Sequence, residues 1–567
     1  MGSYSEAHIC QCLNRLMTHR RNSTVMINIT GPNGETSRKT GMQFAEGVVR
    51  LARGLTQLGL RPGHVVAIAA LNSDSYLEWL LAITCVGGIA APFNYRWSLE
   101  EAKQAANEVK PVLLVTDTTC DYWHSKLGAE IKWHVSMNTV DFNTNLHGSG
   151  MKWSNSGCLN PPTLFWAPRN AALLCFTSGT SGKPKAAVIS HSALVVQSLA
   201  KLALAGYSED DVYLHTAPLC HIGGLSSALA MLMAGACHVI LPKFEVKAAI
   251  KAIEDHHITA LITVPTMMAD LIASTRSTTT SSKQFEKVKK ILNGGGGLSP
   301  VLIENCIKLF PRAKLMTAYG MTEACSSLTF MTLYDPTIGS YTQHSQMIKG
   351  RNARLVEEGG VCVGKPAPHV EVKISYDGSA EAGKILTRGP HTMLGYWGHI
   401  PSKDLEEGWF DTGDVGQIDE NGNLWLMGRN SGRIKSGGEN VYPEQVESIV
   451  SQHPGISGVI VLGLPDPRLA EMVVACIQLK DNWKWIESNS VNERSDHCLS
   501  KDILQKFCKE KNLTGFKIPR GFILWTTPFP MTTTGKVKRN ELKKEALSRW
   551  PKQEPTSSTW PSVSSNL

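Results

Sequence analysis

Cys175-Phe176-Thr177-Ser178-Gly179-Thr180-Ser181-Gly182-Lys183-Pro184-Lys185-Ala186-Ala187-Val188-Ile189-Ser190-His191 is the run from which this chain of 567 residues can be read outward. Apolar Ala171 to Phe176 reads as a strand leading into it. Thr177 to Gly182 then supply four hydroxyls and two glycines, so backbone N–H groups and side chains can wrap an anion with no Cβ in the way. Lys183 and Lys185 add positive charge, and charge-assisted hydrogen bonds to a polyphosphate are the chemistry this composition suits. Spacing excludes the nucleotide-triphosphatase P-loop, which needs four residues between its glycines and a hydroxyl residue after the lysine. Here only Thr180 and Ser181 separate Gly179 from Gly182, and Pro184 follows Lys183. A closer spacing match, Gly378 to Lys384, ends in Ile385 and lacks the magnesium-binding hydroxyl.

With 42% hydrophobic and 19% charged residues the chain can bury a large core, and its length suits more than one domain. The net charge of +8 is spread along the length with no aromatic-studded basic stripe. No nucleic-acid partner is therefore expected, and anionic small molecules are the natural ligands. Fourteen cysteines form no C-x-x-C pair and have mostly apolar neighbours, as at Cys85, Cys175, Cys237 and Cys362. That pattern argues for reduced, buried thiols rather than disulfides or a structural metal. The longest apolar run, Trp79 to Phe93, is interrupted by Gly87, Gly88 and Pro92 and falls short of a membrane span. Nothing in the pattern sets an oligomeric state.

Ahead of the loop, residues 1 to about 40 are polar, and Arg15, Arg20 and Arg21 fit either a transit extension or a first helix. Phe44, Val48, Leu51, Leu55 and Leu58 recur at helical spacing until Gly59. Val65 to Ala70 reads as a strand, Ser75 to Val86 as a helix, and Ala90 and Val112 to Val115 as further strands. Such alternation with short links predicts parallel sheets in an α/β architecture. Residues 125 to 170 lose periodicity and read as surface loop or a variable insertion. Beyond the phosphate loop, Tyr213 to Pro218 reads as a strand that ends at Leu219-Cys220-His221-Ile222-Gly223-Gly224-Leu225-Ser226, and Ser227 to Cys237 as an apolar helix. Ile258 to Val264 and Val288 to Leu292 are strands, the second running into Asn293 and Gly294 to Gly297. Consecutive glycines make a slack turn or let a flat ligand lie against bare backbone. Lys314 to Thr317 is a short strand, and residues 334 to 360 read as a loop.

From Gly364 to Gly389, and again in Trp409 to Asp414 and Leu424 to Arg429, two-residue alternation predicts a small antiparallel sheet. In Arg429 to Glu447, Ser431, Gly432, Ser436, Gly437 and Gly438 mark a pivot before a helix that opens at Tyr442-Pro443. The expected division is a domain over 1–430, a smaller one over 431–545, and a Pro- and Ser-bearing tail over 546–567.

Thr177 to Lys185 resembles the phosphate loop of the acyl-activating, adenylate-forming (AMP-forming) ligases. Tyr319-Gly320-Met321-Thr322-Glu323, Thr412-Gly413-Asp414, Gly428-Arg429 and Pro530 to Arg539 follow in that family's order, so the resemblance spans about residues 44 to 540. It implies a large N-terminal domain of two parallel-type α/β sheets plus a small antiparallel β subdomain, with a smaller mobile α+β C-terminal domain. It implies ATP and coenzyme A as co-substrates, Mg2+ as the metal, and a small-molecule carboxylic acid that becomes an acyl adenylate and then a thioester.

By the same resemblance Thr177, Ser178, Gly179, Thr180, Ser181, Gly182, Lys183 and Lys185 hold the phosphates, and Gly295, Gly296 and Tyr319 sandwich adenine with Gly320 beside them. Thr322 contacts phosphate, and Glu323 holds magnesium, a hard cation that wants oxygen ligands. Asp414 takes the ribose hydroxyls with Arg429 nearby, while Lys536 bridges the reacting carboxylate and the α-phosphate. His221, Gly224 and Ser226 belong to the acyl pocket. Rotation of the small domain about Ser431 then withdraws Lys536 and brings Gly437, Gly438 and Glu439 to the coenzyme A side. Two residues depart from the family's pattern: Ala186 where it usually has Gly, and Ser431 where many members have Asp or Lys.

Within the family, Pro218 to Ser226, the Gly294 run and Gly437 to Pro443 resemble the branch whose acid is 2-succinylbenzoate, in plants on the route to phylloquinone (vitamin K1). That branch implies chloroplast and peroxisome, with cytosol otherwise, and the final Ser565-Asn566-Leu567 only echoes a peroxisomal address. The acid carries a second carboxylate, yet Ile222 to Cys237 contains no Arg or Lys to pair with it. Ligases of other aryl or fatty acids therefore stay open, as does an inactive nucleotide-binding regulator on the same scaffold.

Overall fold

The computed structural model describes residues 7–30, 35–127, 131–137, 163–178, 184–276, 282–298, 300–338, 360–376, 382–399, 408–429, 432, 434–436, 439–466, 469–486, 497–511, 513, 515–532 and 537–550. They divide into two compact units, with a break between Leu426 and Met427.

Within the polar start, residues 9–18 are helical. Helix α1 (Cys12–Thr18) buries Leu13 and Leu16. Strands β1 (Thr24–Ile29) and β2 (Thr36–Thr40) follow; β2 is polar and lies at a sheet edge, which hid it from a reading of apolar periodicity. In α2 (Gly41–Leu58) the Thr40 side chain and Gln43 form a capping box, and Gly59 at φ 90 closes the helix. Its inner side buries Phe44, Val48, Leu51 and Leu55, each worth about 2 kcal/mol of transfer free energy. Next come β3 (Val65–Ala69), α3 (Asp74–Cys85), β4 (Ile89–Phe93), α4 (Leu99–Val109) and β5 (Leu113–Thr116). Strand β6 (Trp133–Ser136) lies inside the stretch expected to be loop, of which residues 128–130 and 138–162 fall outside the described set.

Strands β7 (Ala171–Ser178) and β8 (Pro184–Ser190) complete a six-stranded sheet of order β6-β5-β3-β4-β7-β8. It is parallel except for the β7–β8 pair, which is an antiparallel hairpin. Helices cover both faces of its centre, so all of β3 and β5 is buried.

Helix α5 (His191–Ala205), β9 (Val212–His215), α6 (Ile222–Ala234), β10 (Cys237–Ile240), α7 (Val246–Asp255), β11 (Ala260–Thr263), α8 (Pro265–Arg276), β12 (Lys290–Asn293), α9 (Pro300–Leu309) and β13 (Lys314–Met321) continue the alternation. Helix α6 begins at Ile222, five residues before the apolar run suggested, because His221 takes the N-cap position and the two helical glycines mask the periodicity. Gly235 at φ 76 then ends it, so Cys237 opens a strand.

After β14 (Ser326–Tyr334) come β15 (Val361–Pro366), β16 (Glu371–Ser375), β17 (Gly383–Arg388), β18 (Phe410–Ile418) and β19 (Leu424–Arg429). The second sheet has thirteen strands in the order β16-β17-β18-β19-β15-β14-β13-β12-β11-β9-β10-β1-β2. The expected antiparallel set is present, but it is not a detached sheet. Strand β13 pairs in parallel with β12 on one side and antiparallel with β14 on the other, so the two kinds of sheet share one hydrogen-bonded path.

In the smaller unit β20 (Ile434–Ser436), β21 (Glu439–Val441), α10 (Pro443–Val450), β22 (Ile456–Asp466) and β23 (Ala470–Leu479) lead to a sheet of order β21-β20-β23-β22. The pair β24 (Lys484–Trp485) and β25 (Cys498–Leu499), helix α11 (Lys501–Glu510) and β26 (Gly521–Leu524), which joins β23 in parallel, complete its core. Helix α12 (Arg539–Arg549) runs past the expected boundary at residue 545. Arg539 ties it down by donating to Glu447 Oε2 at 2.8 Å and to the Val461 carbonyl at 2.9 Å.

Candidate functional site

The glycine- and hydroxyl-rich run connects β7 and β8, which pair antiparallel. Phe176 faces Ala186, Thr177 faces Lys185 and Ser178 faces Pro184, so the loop leaves and re-enters on a paired base. Gly179, Thr180, Ser181, Gly182 and Lys183 lie outside the described residues, as does the side chain of Ser178. Ala186 is fully buried, so its extra methyl is accommodated at the loop's exit.

A segment about two hundred residues later docks along β8. Leu394 donates to the Val188 carbonyl at 2.8 Å, Val188 to the Gly395 carbonyl at 2.9 Å, and Trp397 to the Ala186 carbonyl at 2.8 Å. This pairing carries in Tyr396, which the sequence reading passed over. The Lys185 ammonium sits 5.3 Å from the centroid of its ring, within cation–π reach.

Tyr396 also meets the Thr322-Glu323 turn. Strand β13 ends at Met321, Thr322–Ala324 make one 3-10 turn, and Cys325 (φ 52) and Ser326 (φ 104) swing the chain into β14. Gly320 is dictated by that reversal, because a Cβ there would fall 1.6 Å from the Ser326 carbonyl oxygen. Glu323 is 9% exposed, and Tyr396 Oη donates to its Oε1 at 2.8 Å. Burial and the neighbouring carboxylate raise the Tyr396 phenol well above its ordinary range, so it stays a proton donor. Met393 donates to the Glu323 carbonyl at 2.8 Å, and Gln197 on α5 donates to the carbonyls of Ala324 at 3.2 Å and Ser327 at 2.6 Å. The backbone around Glu323 is thus tied by segments from both sides in sequence, and its carboxylate by Tyr396.

On β13 Tyr319 Oη donates to Asp414 Oδ2 at 2.6 Å. Asp414 is buried in β18, where its N–H donates to Thr412 Oγ1 at 3.2 Å and Thr412 donates to the Ile385 carbonyl at 2.8 Å. The glycine run after β12 is anchored by Asn293, whose Nδ2 donates to the Gly296 carbonyl at 2.8 Å. Gly295 has φ +72, and a Cβ on Gly294 would meet nothing within 4 Å. Packing therefore does not demand Gly294, and its open face suits a ligand laid against backbone.

His221 caps α6, and Leu225 donates to its carbonyl at 2.9 Å. A Cβ on Gly224 would lie 2.4 Å from the Pro218 carbonyl oxygen, which is why the turn needs glycine there. Asn72, also absent from the sequence reading, grips this turn: its Nδ2 donates to the Ala217 carbonyl at 3.2 Å, and its Oδ1 accepts from Leu219 N at 2.8 Å. Ser226 and Ser227 are fully buried and accept from the ammonium of Lys201.

In the smaller unit Glu439 lies in β21 opposite Ser436, and Arg429 ends β19; the side chains of both fall outside the described set. So do Ser431, Gly437, Gly438 and Lys536. Met531 and Val537, which flank Lys536 in sequence, pair as an antiparallel bridge.

Among the described residues no group of three or more His, Cys, Asp or Glu could hold a metal ion by itself. The larger unit offers instead the buried carboxylate of Glu323, with Oε1 held by Tyr396. That donor set fits Mg2+, which takes one or two carboxylates and completes its shell with phosphates and water.

The AMP-binding enzyme family matches residues 14–397, and the AMP-binding enzyme C-terminal domain matches residues 445–536. The chain belongs to the AMP-binding enzymes. Among its relatives, the 2-succinylbenzoate–CoA ligase of Arabidopsis thaliana, described as chloroplastic/peroxisomal, is 51% identical over 97% of this chain and 99% of its own. Indoleacetate–CoA ligase of Aromatoleum aromaticum is 30% identical over 88% of this chain and 92% of its own. Of solved structures, the o-succinylbenzoate CoA synthetase of Bacillus subtilis with its acyl-adenylate intermediate superposes with a TM-score of 0.74 at 25% identity, covering 95% of this chain and 98% of that one.

Proposed function

We propose that this chain is an ATP-dependent acid–CoA ligase that converts 2-succinylbenzoate to 2-succinylbenzoyl-CoA, a step of phylloquinone biosynthesis, in chloroplast and peroxisome. The observation that carries the reading is the 51% identity, over nearly the whole of both chains, to the Arabidopsis ligase. No helix among the described residues is long and apolar enough to cross a membrane, and the ligands are small molecules.

In the first half-reaction a substrate carboxylate oxygen attacks the ATP α-phosphorus and pyrophosphate leaves. In the second the coenzyme A thiol attacks the acyl carbon and AMP leaves. The β7–β8 turn, with Lys185 at its neck, cradles the phosphates, and Thr322 contacts them from the other side. Asp414, oriented by the Tyr319 phenol, accepts from the ribose hydroxyls, and the Gly294 to Gly297 backbone lies along adenine. Glu323, steadied by Tyr396, would hold Mg2+, which when bound neutralises charge developing on the phosphates. His221 and Ser226 stand on the acyl side at the start of α6.

Coenzyme A thioester formation with 2-succinylbenzoate, benzoate, cinnamate and medium-chain fatty acids, ranked by kcat/KM, tests the substrate. A preference for another acid overturns the substrate and leaves the two-step chemistry, whereas nucleotide binding without turnover of any acid overturns the enzyme. Lys536→Ala is expected to abolish adenylation while sparing thioester formation from supplied acyl adenylate; equal loss of both half-reactions removes Lys536 from its role.

A further inference from the structure

Lys201, on α5, is only 1% exposed, although a lysine on a helix ordinarily reaches water. Its ammonium donates to Ser226 Oγ, to Ser227 Oγ at 3.0 Å and to Ser326 Oγ at 3.3 Å. Those hydroxyls belong to the two segments that carry the site: Ser226 and Ser227 follow His221 in α6, and Ser326 follows Thr322-Glu323 at the start of β14. A buried cation is expected to have an anion beside it, because removal from water is costly. All three partners here are neutral.

We propose that Lys201 is a positioning residue for acid selectivity: acting through the Ser226 hydroxyl, its ammonium supplies the positive charge that the substrate's second, unreacted carboxylate requires. The inference rests on the ligase reading above and fills the gap that the α6 sequence, without Arg or Lys, leaves open. The Ser226 hydroxyl accepts from Lys201, and its own proton goes to the Gly223 carbonyl at a long 3.5 Å, a weak bond that a carboxylate can replace. Burial lowers the lysine to about 7. Facing it, the Cys325 thiol is itself raised by burial and stays neutral; the Tyr213 phenol is raised by burial as well. Gln197, one turn earlier on the same helix, is uncharged. An arriving carboxylate therefore meets no competing anion among these groups and favours protonation of the amine.

Steady-state kinetics on the full chain would compare 2-succinylbenzoate with 3-benzoylpropanoate, the same molecule without its ring carboxylate. In Lys201→Met the KM for 2-succinylbenzoate is expected to rise at least tenfold while that for ATP moves less than twofold, and preference over 3-benzoylpropanoate shrinks by the same factor. In the wild-type chain the KM for 2-succinylbenzoate rises with pH above about 7, and this rise is lost in Lys201→Met. Ser226→Ala, a smaller change, serves if Lys201→Met misfolds, and should erode the same preference. Preference retained in both variants overturns the inference alone, as does a loss that falls equally on both acids and ATP, since that marks a purely structural lysine. Failure of the wild-type chain to turn over 2-succinylbenzoate overturns the substrate reading and this inference with it.

Discussion

Lys39 and Lys201 are both drawn into the larger unit, and their company differs. Lys39, in β2, sits 2.9 Å from Asp74 and 2.6 Å from Glu78 on α3. Burial pulls its pKa down, but the two carboxylates outweigh that and hold it above the usual lysine range. Burial in turn pushes Glu78 up to about 7 against the pull of Lys39. The packing leaves no slack, since a Cβ on Gly47 would lie 2.5 Å from Glu78 Oε1. Lys201 has only hydroxyls, and burial leaves it at about 7. The first cluster is complete within the chain, joining β2 to α3. The second is completed by an anion from outside, which is the difference between a brace and a binding element.

The largest effect should come from Lys39→Met, which strands two buried carboxylates and is expected to cost about 3 kcal/mol of stability. Calorimetry would register it as a fall of several degrees in Tm, with kcat/KM of the folded enzyme unchanged. Lys201→Met, which replaces a buried amine bonded only to neutral hydroxyls by an apolar chain of similar length, should stay within about 1 kcal/mol of wild type or exceed it. Equal losses in the two variants would break the contrast.

The pH dependence sharpens it further. Lys201 titrates lower in the folded chain, about 7, than when unfolded, about 10.4. The unfolded state then binds more protons between those values, so stability of wild type relative to Lys201→Met should rise across that window. Glu78 shows the opposite displacement, to about 7 from about 4.3. Its contribution is present below the lower value and is lost as pH rises through the higher, so wild type should lose ground to Glu78→Gln over that range. Tm measured across both windows should give slopes of opposite sign, and like slopes would refute the comparison.

Smaller effects are expected where a hydrogen bond, not a charge, is removed. Tyr396→Phe deprives Glu323 of its donor and should lower kcat/KM about tenfold. Tyr319→Phe should raise the KM for ATP about fivefold with little change in kcat, since only the orientation of Asp414 is lost. A larger change in kcat than in KM would move Tyr319 from binding into chemistry.

What the sequence exposes is local. Phe44, Val48, Leu51 and Leu55 announce α2 because one helical face is wholly buried. Glu323, Asp414 and Tyr319 stand out because their neighbours form recognisable runs, and the fold brings Tyr319 onto Asp414. Tyr396 gave no such signal: it sits in an irregular segment and reaches Glu323, 73 residues earlier, only through the backbone pairing that docks that segment on β8. The nearest sequence hint was the Gly395 beside it, which adopts φ 128. Lys201 was invisible for the opposite reason, since a lysine in a regular helix reads as solvated until α6 and β14 are packed over it. Strand β6 went unread because four half-buried residues give no clear alternation.

Strand β8 is the outermost strand of the six-stranded sheet, and Leu394 to Trp397 are what cover its outer edge. During synthesis at about 5–20 residues per second, the roughly two hundred residues between them take about 10–40 seconds to emerge. Through that interval an edge containing the buried run Ala186 to Ile189 has unpaired N–H and C=O groups, a template for pairing with another nascent chain. The segment that delivers Tyr396 is thus also a late-arriving guard against aggregation, and shortened products ending before it would be prone to clump however well their sheets had formed.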